Sequence, residues 1–340
     1  MRAMVLDAPQ RPLREADLPI PKPGPREVLI RVAACGVCRT DLHIADGDLI
    51  PPRLPLILGH EIVGTLVQNG AAAHRFPVGS TVGVPWLAQT CGSCPYCLSG
   101  RENLCDAARF TGFSVDGGYA EYTVADERYC LALPPPFRDT GAAPLLCAGL
   151  IGYRALSFTA GAAKLGLYGF GASAHLVTQF AHHQGREIYA FTRPNDAAKQ
   201  AFARELGARW AGGSDEPAPT ALDAAIIFAS SGHLVPKALE GLAKGGTVVC
   251  AGIHMSDIPS FPYRSLWGER SIRSVANLTR KDGIEFFTAA ARVPVAARIT
   301  AFALARANEA LACVREGETS GAVVLVMDEG EDTALPPKKK

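Results

Sequence analysis

Short runs of β-branched and aromatic residues fill the first 150 or so positions, and glycine and proline keep cutting them off. E-V-L-I-R-V-A, H-E-I-V-G-T-L-V and Y-A-E-Y-T-V read as strands, separated by segments such as P-K-P-G-P and P-V-G-S. The pattern changes after Leu145. L-L-C-A-G-L-I-G-Y-R-A-L is a long apolar stretch rich in alanine and glycine, read as a buried helix bridging two domains. From Lys164 strand and helix alternate: K-L-G-L-Y, then A-S-A-H-L-V-T-Q-F-A-H-H, then E-I-Y-A-F-T, then N-D-A-A-K-Q-A-F-A-R-E-L-G-A. Asn195 is a candidate N-cap for the last of these and Gly207 its stop. A-A-I-I-F-A, T-V-V-C-A-G and S-I-R-S-V-A read as further buried strands. Repeated βα units predict a parallel sheet covered on both faces. After about Asn277 one or two helices and the strand G-A-V-V-L-V-M are expected to return to the first domain.

Length supports that division, since 340 residues exceed one ordinary core. Net charge is +1, so bulk electrostatics favour neither nucleic acid nor an acidic membrane. No apolar run approaches a membrane span, and the start, M-R-A-M-V-L-D-A-P, has no h-region. Lys338, Lys339 and Lys340 follow two prolines and read as a frayed, solvated tail. The ten cysteines are therefore expected in a reducing cytoplasm, where clustered thiols bind metal more often than they form disulfides.

Those cysteines form two groups. Cys91, Cys94, Cys97 and Cys105 occupy one loop, C-G-S-C-P-Y-C-L-S-G-R-E-N-L-C, where four thiolates can close a tetrahedral shell around a structural zinc. An iron–sulfur cluster is the alternative occupant. Cys38 in G-V-C-R-T-D-L-H, His60 in L-G-H-E-I-V-G and Cys147 in L-L-C-A-G are three scattered ligands, which with an open fourth position suit a catalytic zinc. Cys35, Cys130, Cys250 and Cys313 read as small buried packing residues.

The turn Gly169-Phe170-Gly171-Ala172-Ser173-Ala174 matches G-x-G-x-x-G/A between an apolar strand and a helix, the context a dinucleotide fingerprint requires. Its glycines let backbone approach a pyrophosphate at the helix N-terminus. The next strand ends in A-F-T-R-P, without the carboxylate that holds ribose hydroxyls in NAD sites. Thr192 and Arg193 can instead accommodate a 2′-phosphate, favouring NADP(H) over NAD(H). His182 and His183, late in the first helix of this domain, read as solvated; His74, His175, His233 and His254 have no companion ligands in sequence, and Trp86 and Leu87 suit a pocket lining or a core.

In order and spacing these motifs resemble the zinc-dependent alcohol dehydrogenases of the medium-chain dehydrogenase/reductase superfamily, in their bacterial and cinnamyl-type flavour. The resemblance implies an α/β protein in which a GroES-like mostly-β catalytic domain accompanies a Rossmann doubly wound dinucleotide-binding domain. Residues 1–150 and 278–340 would form the former, with a structural-zinc lobe at about 88–108, and residues 151–277 the latter. It implies catalytic zinc on Cys38, His60 and Cys147, with Glu61 beside it and Asp41 orienting a ligand histidine. Thr40 and His43 resemble the relay that carries the alcohol proton to solvent, and Arg39 a pyrophosphate contact. The expected reaction is hydride transfer between a primary alcohol, aliphatic or aromatic, and NAD(P), in a homodimer or homotetramer.

Two departures are visible: Ala174 stands at the third fingerprint position, and Ala322 follows Gly321 where many relatives carry arginine. A non-catalytic nucleotide-sensing or structural relative is expected to have lost a ligand or relay residue, and all are present. A zinc-free quinone reductase is expected to lack both cysteine groups.

Overall fold

The strand Glu27–Val37 is the spine of the first unit. Around Arg31 and Ala33 it alternates buried and exposed positions, as a sheet with one solvated face requires, and its last four residues are buried on both faces. It pairs antiparallel with Ile62–Asn69, Tyr122–Asp126 and Ala322–Val326. Thr81–Val84 and Leu131–Ala132 extend one side, and Ile299–Ala303 runs parallel to Ala322–Val326 on the other. A smaller sheet joins Arg2–Leu6 to Arg14–Asp17 and to Leu56–Ile57. Ile30, Ile62, Leu66, Tyr119 and Leu325 lie at the centre with no exposed surface. Each such aliphatic side chain contributes about 1.5–3 kcal/mol by leaving water.

The computed structural model describes residues 1–317 and 321–327, so the lysine tail lies outside the described residues. The first unit holds Met1–Cys147, Leu278–Ala291 and the described residues from Ala297 onward; the second holds Ala148–Asn277 and Arg292–Ala296.

In the second unit six parallel strands lie in the order Trp210–Gly213, Glu187–Thr192, Lys164–Tyr168, Leu222–Ile227, Leu242–Cys250, Ser271–Ser274. The order reverses direction at Lys164–Tyr168, as in a doubly wound dinucleotide fold. The helix Ala148–Ser157 lies wholly in this unit and packs against Ala172–His183. A Cβ on Gly152 would come within 2.5 Å of Val177 Cγ2, so the two helices approach at a glycine.

Several expectations need correction. The predicted bridging helix starts only at Ala148, because Thr140–Leu146 is a 3₁₀ segment containing Pro144, which cannot serve an α-helix interior. The N-cap of Ala197–Glu205 is Asp196, whose carboxylate accepts from the Lys199 amide; Asn195 takes a left-handed φ of 63° just before it. Ser271–Ser274 is a strand, but an exposed one at the sheet edge. Trp210–Gly213, too short and glycine-rich to read as a strand, completes the opposite edge. Cys35 and Cys130 are buried as expected, whereas Cys250 and Cys313 are only half-buried.

Candidate metal centres and dinucleotide turn

The four thiols of the cysteine loop converge because the loop makes local bonds that turn it inward. Cys94 caps the short helix Pro95–Leu98 and accepts from the Cys97 amide at 3.5 Å, while Cys91 Sγ accepts from the Cys94 amide at 3.3 Å. Gly92 and Gly100 supply the left-handed turns, at φ 73° and 71°. All four Sγ atoms lie within 4.8 Å of one another. The Ser93 and Cys94 amides hold the Cys91 thiol down to about 6. The Cys97 amide also pulls on Cys94, but burial and the neighbouring thiols hold it up to about 11. Thiols this close cannot all ionise without a cation to share, and an all-sulfur set of four suits tetrahedral zinc.

The second cluster is assembled from distant segments. Cys38 is the N-cap of the helix Arg39–Asp46, and its Sγ accepts from the Thr40 amide at 3.4 Å. Asp41 completes the capping box by accepting from the Cys38 amide at 2.9 Å. The other Asp41 oxygen accepts from the Gly59 amide at 3.2 Å and lies 3.3 Å from His60 Nδ1. That last contact is bent away from hydrogen-bond geometry, yet His60 Nδ1 is fully buried and finds no other acceptor among the described residues. Asp41 Oδ1 thus stands beside Nδ1, while Nε2 lies 3.2 Å from Cys38 Sγ. The Trp86 ring stands edge-on to His60 at 4.8 Å and stacks on Phe110 at 5.1 Å, so Trp86 is core and walls His60.

Donor atoms of Cys38, His60, Glu61 and Cys147 lie within 4.8 Å of one another. Cys147 sits at the break between the 3₁₀ segment and the following helix. Glu61 is buried against Gly36, where a Cβ would fall 1.8 Å from its Oε2. Burial and then the Cys38 charge push the Glu61 carboxyl well above its ordinary range. The Cys147 hydrogen bond and burial do the same to the Cys38 thiol. Burial opposes a charged His60, but Cys38 and Asp41 outweigh it and raise its proton affinity. Two half-buried cysteines, a buried imidazole and a buried carboxylate held together at this density fit a divalent cation.

Thr40 is buried and His43 half-buried, one helical turn apart on the same helix. His43 Nδ1 lies 2.9 Å from Asp48 Oδ2, a partner that sequence reasoning missed although it follows the Gly47 helix stop. Arg39 is exposed at the start of that helix.

In the second unit Gly169 has φ 88°, and a Cβ there would meet Ala229 at 2.9 Å, so only glycine fits. Gly171 is the N-cap of Ala172–His183, carries no side-chain cap, and faces open space where a Cβ would point. Its helix terminus thus offers amides to an anion, and buried Ala174 lets the helix sit close to the sheet. Thr192 does not fit its expected role. Its side chain is buried, and its hydroxyl sits within bonding distance of Arg193 O (2.9 Å), Gly212 O (3.3 Å) and the Gln200 amide nitrogen (3.2 Å). Arg193 is exposed.

Residues 24–135 match the alcohol dehydrogenase GroES-like domain. The chain is 45% identical over 324 residues to "Probable alcohol dehydrogenase AdhA" of Mycobacterium tuberculosis, covering 93% of each. It is 35% identical to an alcohol dehydrogenase of Geobacillus stearothermophilus, covering 97% of this chain and 100% of that one. Its fold matches the cinnamyl alcohol dehydrogenase SbCAD4 of Sorghum bicolor with a TM-score of 0.88 at 25% identity, over 98% and 99% of the two chains.

Proposed function

The chain belongs to the zinc-dependent alcohol dehydrogenases of the medium-chain dehydrogenase/reductase superfamily, and on that premise we propose that it interconverts primary alcohols and aldehydes with NADP(H). It is an oxidoreductase that works with zinc and a nicotinamide dinucleotide on small alcohols or aldehydes. The observation that carries the reading is the convergence of Cys38, His60 and Cys147 donor atoms, with Asp41 beside the buried imidazole to orient it. We assign catalysis to the first unit, dinucleotide binding to the second, and two zinc ions to each chain, the other on Cys91, Cys94, Cys97 and Cys105.

When bound, the catalytic zinc supplies Lewis acidity at the substrate oxygen and the nicotinamide exchanges the hydride. Asp41 orients His60 so that Nε2 faces the metal position. Glu61 places a carboxylate within the same donor set. Thr40 Oγ1 takes the alcohol proton and passes on its own. His43 receives it at Nε2, because Nδ1 is engaged by Asp48, and hands it to solvent. Gly169 and Gly171 admit the pyrophosphate to the helix terminus, Ala174 keeps that helix close, and Arg39 adds a positive charge for the phosphates. With the Thr192 hydroxyl committed internally, the 2′-phosphate falls to Arg193.

Thiols gathered into two metal-ligand groups suit a reducing setting, and we place the protein in the cytoplasm on that ground. Among the described residues no helix is long and apolar enough to cross a membrane. The exposed edge strand Ser271–Ser274 suits pairing with a second copy in a homodimer or homotetramer. The test follows reduced-nicotinamide absorbance with ethanol, benzyl alcohol and cinnamaldehyde, each with NAD(H) and NADP(H). Turnover should require zinc and favour NADP(H), and Arg193→Asp should reverse that preference. A preference for NAD(H) indifferent to Arg193 would overturn the cofactor assignment.

A further inference from the structure

Thr90 immediately precedes the first cysteine of the loop, and both it and Tyr129 are buried. The Thr90 amide donates to the Tyr129 hydroxyl oxygen at 3.0 Å, and the two hydroxyls lie 2.6 Å apart. Thr90 Oγ1 in turn lies 3.4 Å from Cys97 Sγ. The proton directions follow from counting donors. A metal-bound thiolate has no proton, so Thr90 must donate to Cys97, and its oxygen is then free to accept from Tyr129. The Tyr129 oxygen still accepts from the Thr90 amide, so every proton in the chain has one acceptor. Tyr129 is itself held: the Arg280 guanidinium lies 5.0 Å over its ring, and Glu102 Oε1 accepts from Arg280 Nε at 3.1 Å.

We propose that Thr90 and Tyr129 are positioning residues for the structural metal, a hydroxyl relay that donates to the Cys97 thiolate and tunes its hold on the ion. The proposal rests on the assignment of zinc to the four-cysteine loop. Hydrogen-bonded partners of metal ligands typically change affinity by about 10–100-fold when removed.

The experiment begins with metal content of the purified enzyme. Two equivalents, one of them giving a four-sulfur resonance after cadmium exchange, support the loop assignment; no four-sulfur resonance at any metal content overturns it and the relay together. Zinc release into a chelating dye is then followed for wild type, Thr90→Val, Thr90→Ser and Tyr129→Phe. Thr90→Val should release the loop's equivalent about tenfold faster. Tyr129→Phe should act in the same direction but less, and Thr90→Ser should behave as wild type. Cadmium-exchanged protein adds a signature that a packing defect would not give. Its four-sulfur resonance should shift in Thr90→Val while the resonance of the Cys38–His60–Cys147 site stays put. Release from Thr90→Val at the wild-type rate, or Thr90→Ser as damaged as Thr90→Val, would overturn the relay while leaving the loop assignment intact.

Discussion

Asp41→Asn is a nearly isosteric change that the geometry does not tolerate in either orientation. One Asp41 oxygen accepts from the Cys38 amide, and the other accepts from the Gly59 amide and faces His60 Nδ1. If the asparagine oxygen takes the His60 side, its NH₂ meets the Cys38 amide. The capping bond is then lost, at about 1 kcal/mol, and a buried donor is left unpaired, at about 1–3 kcal/mol. If the amide is flipped, the NH₂ faces His60 and forces Nδ1 to accept. The ring proton then sits on Nε2, the nitrogen aimed at Cys38 Sγ, where it blocks ligation. Loss of such a partner lowers metal affinity about 10–100-fold, or about 1.4–2.8 kcal/mol at 1.4 kcal/mol per decade. The variant should therefore lose the catalytic equivalent preferentially, and kcat/KM should fall at limiting zinc. Chelator competition and urea denaturation of the zinc-loaded protein read the two costs separately. A variant that binds zinc and resists urea as well as wild type would refute the claim that this carboxylate orients His60.

Gly169→Ala should cost about 1–3 kcal/mol from the left-handed backbone and the close approach of Ala229. It should also weaken dinucleotide binding, measured by calorimetric titration with the oxidised cofactor. Glu102 predicts a pH effect. Burial would raise its carboxyl, but its own amide and the Arg280 amide and guanidinium overcome that and hold it below the ordinary value. A depressed folded-state value means stability that is present above the unfolded carboxylate range, about pH 4.3, and lost as pH falls through the folded value. Urea midpoints should therefore fall with acid more steeply in wild type than in Glu102→Gln; parallel curves would show that the pair contributes nothing.

What could be read from the chain was whatever local spacing controls. Cys91 to Cys105 form one loop whose amides bond its own sulfurs, so the four-thiol set is legible without a fold. Lys164–Tyr168, Ala172–His183 and Glu187–Thr192 follow from apolar runs and a glycine turn, and they fall where the pattern put them. Cys38, His60 and Cys147 could be named as a scattered set of three, but no one of their segments by itself distinguishes a ligand from a packing residue, and the resemblance added the weight. Tertiary structure decided the rest. Thr192 looks available at a strand end, but the carbonyl of Gly212 on the neighbouring strand and Gln200 on the next helix engage its hydroxyl. The apolar look of S-I-R-S-V-A hid an exposed edge, since burial depends on which strands flank it. Asp48, Trp86 and Tyr129 carry no motif and gain their roles from what the fold sets beside them. Chain connectivity thus determined the elements and the local metal loop, while long-range contacts determined which polar groups remain free for chemistry, because a hydrogen bond made inside the protein is no longer available to a ligand.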